Sequence, residues 1–298
     1  MPYSVSRRTI LTAALLGRAL TLGAAHASAA DRIDAAERKL AAIEARIGGR
    51  LGVMVLDTGD STSLAYRATE RFPMCSTFKL LLVALTLERI EHGKERLDRV
   101  VPYDDRDTAA AGYSPVTSGH LDDGGMSVGD LCKAAIQESD NAAANLLLRS
   151  SGGPAAVTEF ARSLGDDVTR LDRIEPSLNQ ATPRDPRDTT SPDTMVRDLL
   201  QLLLGDELAE ASRRELIVWM DGSRTGAKRL RGGLPSSWRV GDKTGSGDNG
   251  TANVVAIIRP PQRAPLLAAI YMTGCSAAGD ALDAAHAEIG RLVATTFG

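Results

Sequence analysis

Histidine and cysteine, the usual side-chain ligands of zinc, are scarce in this sequence. Its 298 residues include only four histidines and three cysteines. His92, His120 and His286 are scattered, and His26 falls in the apolar N-terminal region, so none has the spacing of a zinc site. The sequence therefore argues against a zinc hydrolase, and we expect the protein to work without a metal or any other cofactor.

Blocks of one charge and long apolar runs are also missing. The formal net charge is −3, and no acidic or basic block exceeds a few residues, so the chain carries no electrostatic footprint for nucleic acid or an anionic membrane. After Leu22, no apolar run reaches the roughly 18 to 20 residues that a membrane span requires. We expect neither a nucleic-acid partner nor a membrane anchor.

Residues 1–29 have the pattern of an export signal. Two adjacent arginines precede an apolar region over residues 10–22, and small residues follow it. The run Ser-Arg-Arg-Thr-Ile-Leu at residues 6–11 resembles a twin-arginine signal, which directs export of folded proteins. Arg18 interrupts the apolar region and leaves the ordinary secretory route open. The sequence predicts an exported protein, periplasmic or secreted.

The remaining composition, with 43% hydrophobic and 24% charged residues, is that of a globular protein with a substantial core. Residues 76–220 have the patterns of helices and loops almost throughout. On either side of them, the patterns predict a helix over 31–47, strands over 50–57, 63–66, 238–244, 251–258 and 266–272, and a helix over 280–296.

These elements predict a mixed α/β fold of the α+β type. Because the five strands come in two closely spaced groups without helical crossovers, we expect a mainly antiparallel sheet with the terminal helices packed on its face. The rest forms an all-helical insert. The predicted catalytic unit spans residues 30–298, with a sheet subdomain over about 30–70 and 221–298 and a helical subdomain over about 71–220.

The chain is organised around residues 71–87. Pro73 introduces a turn, Ser76 is a good N-cap or first-turn residue, and the following helix is apolar on every side. Lys79 comes one turn after Ser76, where a buried ammonium is costly unless it is paired. Because residues three apart share a helix face, hydroxyl and amine come within hydrogen-bond reach, which predicts an activated serine nucleophile.

A Ser-x-x-Lys pair is common by chance, so two further motifs decide its meaning. Ser-Asp-Asn at residues 139–141 lies at a break between helices predicted over 128–137 and 142–148, where alone it would only cap a helix. Lys-Thr-Gly-Ser at residues 243–246 ends a predicted strand, where a lysine is usually just solvated. Together and in this order, the three motifs resemble the signature of serine β-lactamases and penicillin-binding proteins.

A fourth segment separates the members of that group. Residues 173–188 include Glu175, Pro176 and Asn179 and carry opposite charges at their two ends, as suits a compact surface loop. The segment resembles the omega loop of class A β-lactamases, where a Glu-x-x-Leu-Asn element holds a hydrolytic water and a cis bond follows the glutamate. The resemblance covers essentially all of residues 31–298, and the chain is identified as a member of the class A serine β-lactamases.

The resemblance implies the catalytic roles. Ser76 would attack the lactam carbonyl, and the backbone amides of Ser76 and Ser246 would hold the oxyanion. Either Lys79, if neutral, or Glu175 acting through a water would take the serine proton, and this choice stays open. Glu175 with Asn179 would then activate the water that hydrolyses the acyl-enzyme.

The resemblance also implies how the leaving group and the substrate are handled. Ser139, bridged to Lys79 and Lys243, would pass a proton to the lactam nitrogen. Arg229 matches a position from which some members add an arginine to the carboxylate site; the alternative, a solvated surface arginine, is the less favoured. Tyr113 would wall the cleft or serve only in packing. The other substrate-binding candidates are Asn141 for the acylamide and Lys243, Thr244, Gly245 and Ser246 for the carboxylate.

The three cysteines are an odd number for an exported protein, so at least one thiol stays free or pairs outside the chain. In carbapenem-hydrolysing members, the cysteine before the nucleophile, here Cys75, pairs with a cysteine at the position of Gly247. That partner is missing, and whether Cys275 replaces it stays open. We expect Cys75 and Cys132 to be buried free thiols, and the substrate spectrum stays undetermined.

Two rivals share the first three motifs: a penicillin-binding DD-peptidase and a non-catalytic sensor domain that is acylated and stops. Neither gives a reason for Glu175 and Asn179, and a sensor would need a membrane segment. We therefore expect a monomeric enzyme that hydrolyses the β-lactam amide of penicillins and cephalosporins through a serine acyl-enzyme. Such an enzyme would give antibiotic resistance.

Overall fold

This computed structural model describes residues 29–298, which form both strands and helices. The predicted export signal lies outside the described residues, apart from Ala29. The strands are β1 (Arg50–Asp57), β2 (Ser63–Tyr66), β3 (Phe72–Pro73), β4 (Val100–Val101), β5 (Met126–Ser127), β6 (Thr189–Thr190), β7 (Arg239–Gly247), β8 (Thr251–Arg259) and β9 (Leu266–Thr273). The helices are α1 (Ala29–Ile47), α2 (Phe78–Glu91), α3 (Asp105–Ala111), α4 (Val128–Gln137), α5 (Asn141–Ser151), α6 (Pro154–Ser163), α7 (Pro192–Leu203), α8 (Glu210–Asp221) and α9 (Gly279–Phe297).

The central sheet has the strand order β2-β1-β9-β8-β7, and every neighbouring pair is antiparallel. This confirms the predicted five-stranded sheet, but one strand end was placed wrongly. The motif at residues 243–246 lies inside β7, because the ladder with β8 continues to Gly247 opposite Thr251. The reversal is made by Asn249 and Gly250, whose φ angles of 53° and 59° suit a tight hairpin turn.

Hydrophobic residues pack on both faces of the sheet. On one face, α1 and α9 pack against alternate strand residues such as Val254 and Ile270. On the other face, the intervening residues, such as Val255 and Tyr271, contact the helices of the insert. Strands β8 and β9 are therefore buried almost throughout. No helix within residues 29–298 is both long and apolar enough to cross a membrane.

The apolar helix α2 lies at the centre of the insert, and all of residues 78–87 are buried, as predicted. The insert itself is not wholly helical. Two short ladders pair β3 with β6 and β4 with β5. Pro73, predicted as a turn, belongs to the first ladder because Thr189, more than a hundred residues later, returns beside it. That pairing ties the chain just before Ser76 to the end of the omega loop.

Candidate active site

Ser76 lies in a tight 3-10 turn, Cys75–Thr77, directly ahead of α2. The turn is held from within because Thr77 Oγ1 donates to Met74 O at 2.8 Å. The N-cap alternative for Ser76 is wrong, since no side chain caps α2 and the Ser76 hydroxyl bonds to Glu175 instead. Its location just before the helix is close to the first-turn alternative.

The turn is fastened to the sheet by two features of β7 and β8. The buried Asn253 side chain donates to Pro73 O at 2.9 Å and Met74 O at 3.0 Å. A Cβ atom on Gly245 would lie 2.8 Å from Met74 O, so only glycine lets β7 approach the turn so closely. These contacts bring the Lys-Thr-Gly-Ser motif beside Ser76.

Two polar groups, a hydroxyl and an ammonium, meet at one carboxylate oxygen. Ser76 Oγ donates to Glu175 Oε1 at 3.2 Å, and Lys79 Nζ lies 2.9 Å from the same atom. Both side chains of this ion pair are fully buried. The direct Ser76–Lys79 hydrogen bond that the spacing predicts is not among the contacts of these described residues. The Glu175 carboxylate lies between them, because a buried ammonium binds a carboxylate more strongly than a neutral hydroxyl.

Lys79 donates to two further oxygens, Ser139 O at 2.8 Å and Asn141 Oδ1 at 2.7 Å. Burial lowers the pKa of Lys79, and the Glu175 carboxylate opposes that shift. An ammonium has three donors and no acceptor, so these three contacts satisfy the charged form completely. Lys79 therefore links the omega loop to the Ser-Asp-Asn motif.

Ser139 faces both lysines. Its Oγ accepts from Lys243 Nζ at 2.9 Å and lies 3.5 Å from Lys79 Nζ. Burial, reinforced by the charge on Lys79, lowers the pKa of Lys243 well below its ordinary value. The turn between α4 and α5 gives Ser139 a φ of 58°, which aims its hydroxyl at this meeting point. A hydroxyl in this position can pass a proton on.

The omega loop, residues 173–188, is closed by an ion pair between Arg173 Nε and Asp188 Oδ2 at 2.6 Å. Its bond from Glu175 to Pro176 is cis. Asn145 of α5 anchors Glu175 twice, by donating to its carbonyl at 2.9 Å and accepting from its amide at 3.0 Å. Asn179 Nδ2 donates to Glu175 Oε2 at 2.5 Å. The glutamate is therefore held rigidly at Ser76.

An open cavity of about 580 Å³ lies over Ser76. Asn179 lines this cavity, and its buried Oδ1 has no hydrogen-bond partner among the described residues. Tyr113, whose side chain is 60% exposed, forms part of the wall. The cavity is lined by Ser76, Tyr113, Glu138, Ser139, Asn141, Asn179, Arg224, Thr225, Arg229, Thr244 and Ser246.

Arg229 is not a solvated surface residue, since only 12% of its side chain is exposed. Its guanidinium donates to Gly245 O at 2.7 Å, to Asn253 O at 2.8 Å and to Ser246 Oγ at 2.7 Å. Nε pairs with Asp283 of α9 at 2.9 Å. With four of its five N–H donors directed, the planar guanidinium lies fixed beside β7 at the edge of the cavity.

Comparison with known proteins shows which family this chain belongs to. Residues 35–297 match the Beta-lactamase enzyme family. β-Lactamase CTX-M-8 of Citrobacter amalonaticus is 45% identical, over 92% of this chain and 91% of that protein. A β-lactamase of Streptomyces albus G is 45% identical, over 98% of each chain. Among solved structures, the ancestral class A β-lactamase GNCA superposes with a TM-score of 0.86 at 57% identity, over 88% of this chain and all of that one.

The chain belongs to the class A β-lactamases. It hydrolyses the amide of β-lactam antibiotics and thereby confers resistance. The serine mechanism is general for class A enzymes, and the fold described above is that of the family.

The sequence reasoning assigned no role to four side chains that position this β-lactamase site. Asp140 is the middle residue of the Ser-Asp-Asn motif, and Asn145 lies one turn further along α5. Asn253 and Asp283 belong to β8 and α9. Only Asp140 had a local signal, as a helix N-cap whose carboxylate accepts from Ala143 N. The others act on residues distant in sequence, which no local pattern reveals.

The three cysteines of the β-lactamase are free thiols. The prediction that Cys75 and Cys132 are buried is confirmed, and Cys75 does not pair with Cys275. Burial raises the pKa of the Cys75 thiol, so it stays protonated and inert beside Ser76. Within residues 29–298, no group of three potential ligands is assembled that could hold a metal ion.

Proposed function

We propose that Ser76 is the nucleophile of this β-lactamase and that Glu175 primes the water for deacylation. The observation that carries the proposal is the contact of Ser76 Oγ and Lys79 Nζ with one buried oxygen, Glu175 Oε1, at 3.2 and 2.9 Å. A hydroxyl bonded to a carboxylate can lose its proton as it attacks a carbonyl. The backbone amides of Ser76 and Ser246 would hold the oxyanion.

For acylation, the geometry favours Glu175 over Lys79 as the group that takes the serine proton. Glu175 Oε1 already accepts the Ser76 hydroxyl without an intervening water. Lys79 directs its donors to three oxygens, and an ammonium has no lone pair with which to accept. The role of Lys79 is then to hold the carboxylate and Ser139 in place by its charge.

Ring opening leaves a negative lactam nitrogen that must be protonated. Ser139 is the donor we propose, because its hydroxyl is contacted by Lys243 Nζ at 2.9 Å and lies near Lys79 Nζ. The hydroxyl donates its proton to the nitrogen and takes one from Lys79. Lys79 in turn takes the Ser76 proton held by Glu175, whose Oε1 lies 2.9 Å from Lys79 Nζ, so that Glu175 is a carboxylate again before deacylation. The Asn141 side-chain amide would orient the substrate's acylamide.

After acylation, the carboxylate of Glu175 would take a proton from water as that water attacks the ester. Asn179 fixes Oε2 of the base and, through its unpartnered Oδ1, can accept a hydrogen bond from the same water. A positioned base of this kind contributes roughly 100- to 10,000-fold. The proton on Glu175 then passes to Ser76 Oγ as the ester bond breaks, which frees the hydroxyl for another cycle.

The substrate carboxylate would lie against Lys243, Thr244, Gly245 and Ser246, with Arg229 behind them. We predict that Arg229→Ala raises KM for a penicillin roughly 10- to 100-fold with a smaller change in kcat, because the charge-assisted contact is made equally in the ground and transition states. Steady-state kinetics measure this. Arg229→Lys should recover only part of the affinity, since lysine lacks the planar fork. An unchanged KM in Arg229→Ala would contradict the assignment.

The roles are tested most directly with a chromogenic cephalosporin. We expect the unaltered enzyme to consume many equivalents and Ser76→Ala to consume none, with no covalent adduct in its intact mass. Ser118→Ala, at an exposed hydroxyl, serves as the matched control and should keep full turnover. Consumption of a single equivalent by the unaltered enzyme would instead indicate a DD-peptidase or a sensor.

Class A β-lactamases are exported enzymes. We propose residues 1–29 as the export signal of this one, with the twin-arginine route supported by the run at residues 6–11. We further propose a monomer without a membrane anchor, with subdomains over about 30–70 and 221–298 and over about 71–220. The two hydrophobic clusters on the opposite faces of the sheet support that division.

A further inference from the structure

Two carboxyl groups are buried together behind the active site, outside the machinery described above. Asp166 follows α6 and is 4% exposed, and Asp198 belongs to α7 and is 1% exposed. Their side chains lie within hydrogen-bond reach of each other. The Oδ2 atom of each has no hydrogen-bond donor among the described residues. Two ionised carboxylates in this arrangement would repel each other with no solvent to screen them.

One proton shared between the two side chains removes the repulsion between the carboxylates and supplies the missing hydrogen-bond donor. Asp166 Oδ1 already accepts the amides of Val168 at 2.6 Å and Thr169 at 2.8 Å, and Arg162 Nη1 lies 3.9 Å from it. These contacts occupy Asp166 Oδ1 as an acceptor, which leaves the shared proton on Asp198. Burial, together with the neighbouring Asp166, raises the pKa of Asp198 to about 9. The neutral acid then donates to the carboxylate beside it.

The other charged or titratable groups near Asp198 do not replace this proton. Arg197, on the same helix, is 63% exposed and pairs with Asp193 at 2.6 Å. Arg162 directs its guanidinium to Thr169 O at 2.8 Å and to Asp166 O. The groups that surround Asp198 are Asp166 from the segment after α6, Arg162 from α6, Arg197 from α7 and Tyr271 from β9.

The pair lies where the omega loop joins the body of the enzyme. We call residues 166–170 and 189–190 the omega-loop neck. These two segments run antiparallel, and Arg170 N donates to Thr189 O at 3.0 Å. The hydroxyl groups of Thr169 and Thr190 are 2.7 Å apart within it. Asp166 shapes one strand of the neck, and α7 begins two residues after the other.

We infer that Asp198 is a positioning residue for deacylation, which keeps one proton against Asp166 and thereby holds the omega-loop neck on α7. The inference rests on the proposed function, because it acts through Glu175, which the loop carries. Loss of the proton would place two buried charges side by side and push the neck away from α7. Glu175 would then lose its alignment with the acyl-enzyme, whereas Ser76, on a separate turn, would stay in place.

The direction of the pH dependence follows from the raised pKa of Asp198. An unfolded aspartate titrates near 3.9, so the folded state binds one proton more than the unfolded chain between about pH 4 and 9. The stability contributed by this site therefore falls as pH rises across that window. The substitution Asp198→Asn supplies a permanent N–H donor to Asp166 and abolishes the titration.

The test measures the deacylation rate of the cephalosporin acyl-enzyme in single-turnover experiments from pH 6 to 10, together with the urea midpoint of unfolding at pH 6 and 9. In the unaltered enzyme, deacylation should fall by about tenfold for each pH unit above 9. The deacylation rate of Asp198→Asn should not show this fall above pH 9. Its urea midpoint should decrease less between pH 6 and 9 than that of the unaltered enzyme. Lysine titrations affect both proteins equally and cancel in the comparison.

Asp206→Asn, which removes an exposed carboxylate beyond the end of α7, is the matched control and should follow the unaltered enzyme. Parallel curves for Asp198→Asn and the unaltered enzyme in both measurements would overturn the inference. A difference in urea midpoint without a difference in deacylation would show that the pair does not position the loop. The urea comparison does not involve Glu175, so failure of the proposed function, seen as full turnover by Glu175→Gln, is distinguishable.

Discussion

Replacing Glu175 by glutamine should trap the enzyme as its acyl intermediate. The amide keeps the size of the side chain but cannot take a proton from water, so we expect deacylation to fall roughly 100- to 10,000-fold. Intact-mass spectrometry after mixing with a cephalosporin should show a long-lived adduct of one equivalent, and stopped-flow absorbance should show a burst followed by slow turnover.

Acylation should survive in Glu175→Gln because the lost charge also affects Lys79. The Glu175 carboxylate holds up the pKa of Lys79 against burial. Without it, burial alone acts, and a larger fraction of Lys79 becomes neutral and able to accept the Ser76 proton. The burst rate should therefore rise with pH more steeply than in the unaltered enzyme.

Glu159→Gln removes the same charge from an exposed position on α6 and should leave both phases unchanged. Full steady-state turnover by Glu175→Gln would exclude Glu175 as the deacylation base. Loss of the burst together with turnover would mean instead that Glu175 is required for acylation as well, with no substitute from Lys79.

Replacing Asp140 by alanine should destabilise the protein by about 3 to 5 kcal/mol, because it leaves several buried donors unsatisfied, each at a cost of about 1 to 3 kcal/mol that partial relaxation reduces. The Asp140 carboxylate is fully buried. It accepts the amides of Val116 and Thr117 at 2.9 Å each, that of Ala143 at 2.8 Å, and the Thr117 hydroxyl at 3.0 Å. Alanine leaves all of these donors unsatisfied at once. Urea or thermal unfolding measures the loss.

The same substitution should also reduce kcat/KM at temperatures where Asp140→Ala is folded. Asp140 lies between Ser139 and Asn141, and the amide of Asn141 donates to Tyr113 O at 2.9 Å. A loosened turn would therefore displace the proton donor and the cleft wall together.

Asp123→Ala is the control for Asp140→Ala, because Asp123 pairs with His120 in an exposed position and such pairs contribute at most about 1 kcal/mol. A loss in Asp140→Ala no larger than in this control would show that the buried carboxylate does not hold the turn. The stability of Asp140→Asn should be intermediate. Its amide oxygen still accepts hydrogen bonds, whereas its NH2 group would face N–H and O–H donors and could not bond to them.

Much of the fold could be predicted from the sequence because its signals are local. Period-two and helical spacing of apolar residues located all five strands of the sheet and the terminal helices within a few residues. The all-apolar run after Ser76 predicted a central helix, since no surface helix can bury every side. The main miss in the sheet was the end of β7, which continues beyond the predicted 238–244 to Gly247 before the expected turn.

What the sequence determined by itself was the family, because Ser76, Lys79, Ser139, Glu175 and Lys243 occur in motifs whose order and residue types identify it. The tertiary structure alone decided how these groups connect. Glu175 stands between Ser76 and Lys79, Asn253 holds the nucleophile turn, and Asp198 meets Asp166 because segments far apart in the chain converge in the fold. Such contacts depend on where distant backbones come together, which spacing along the chain does not encode.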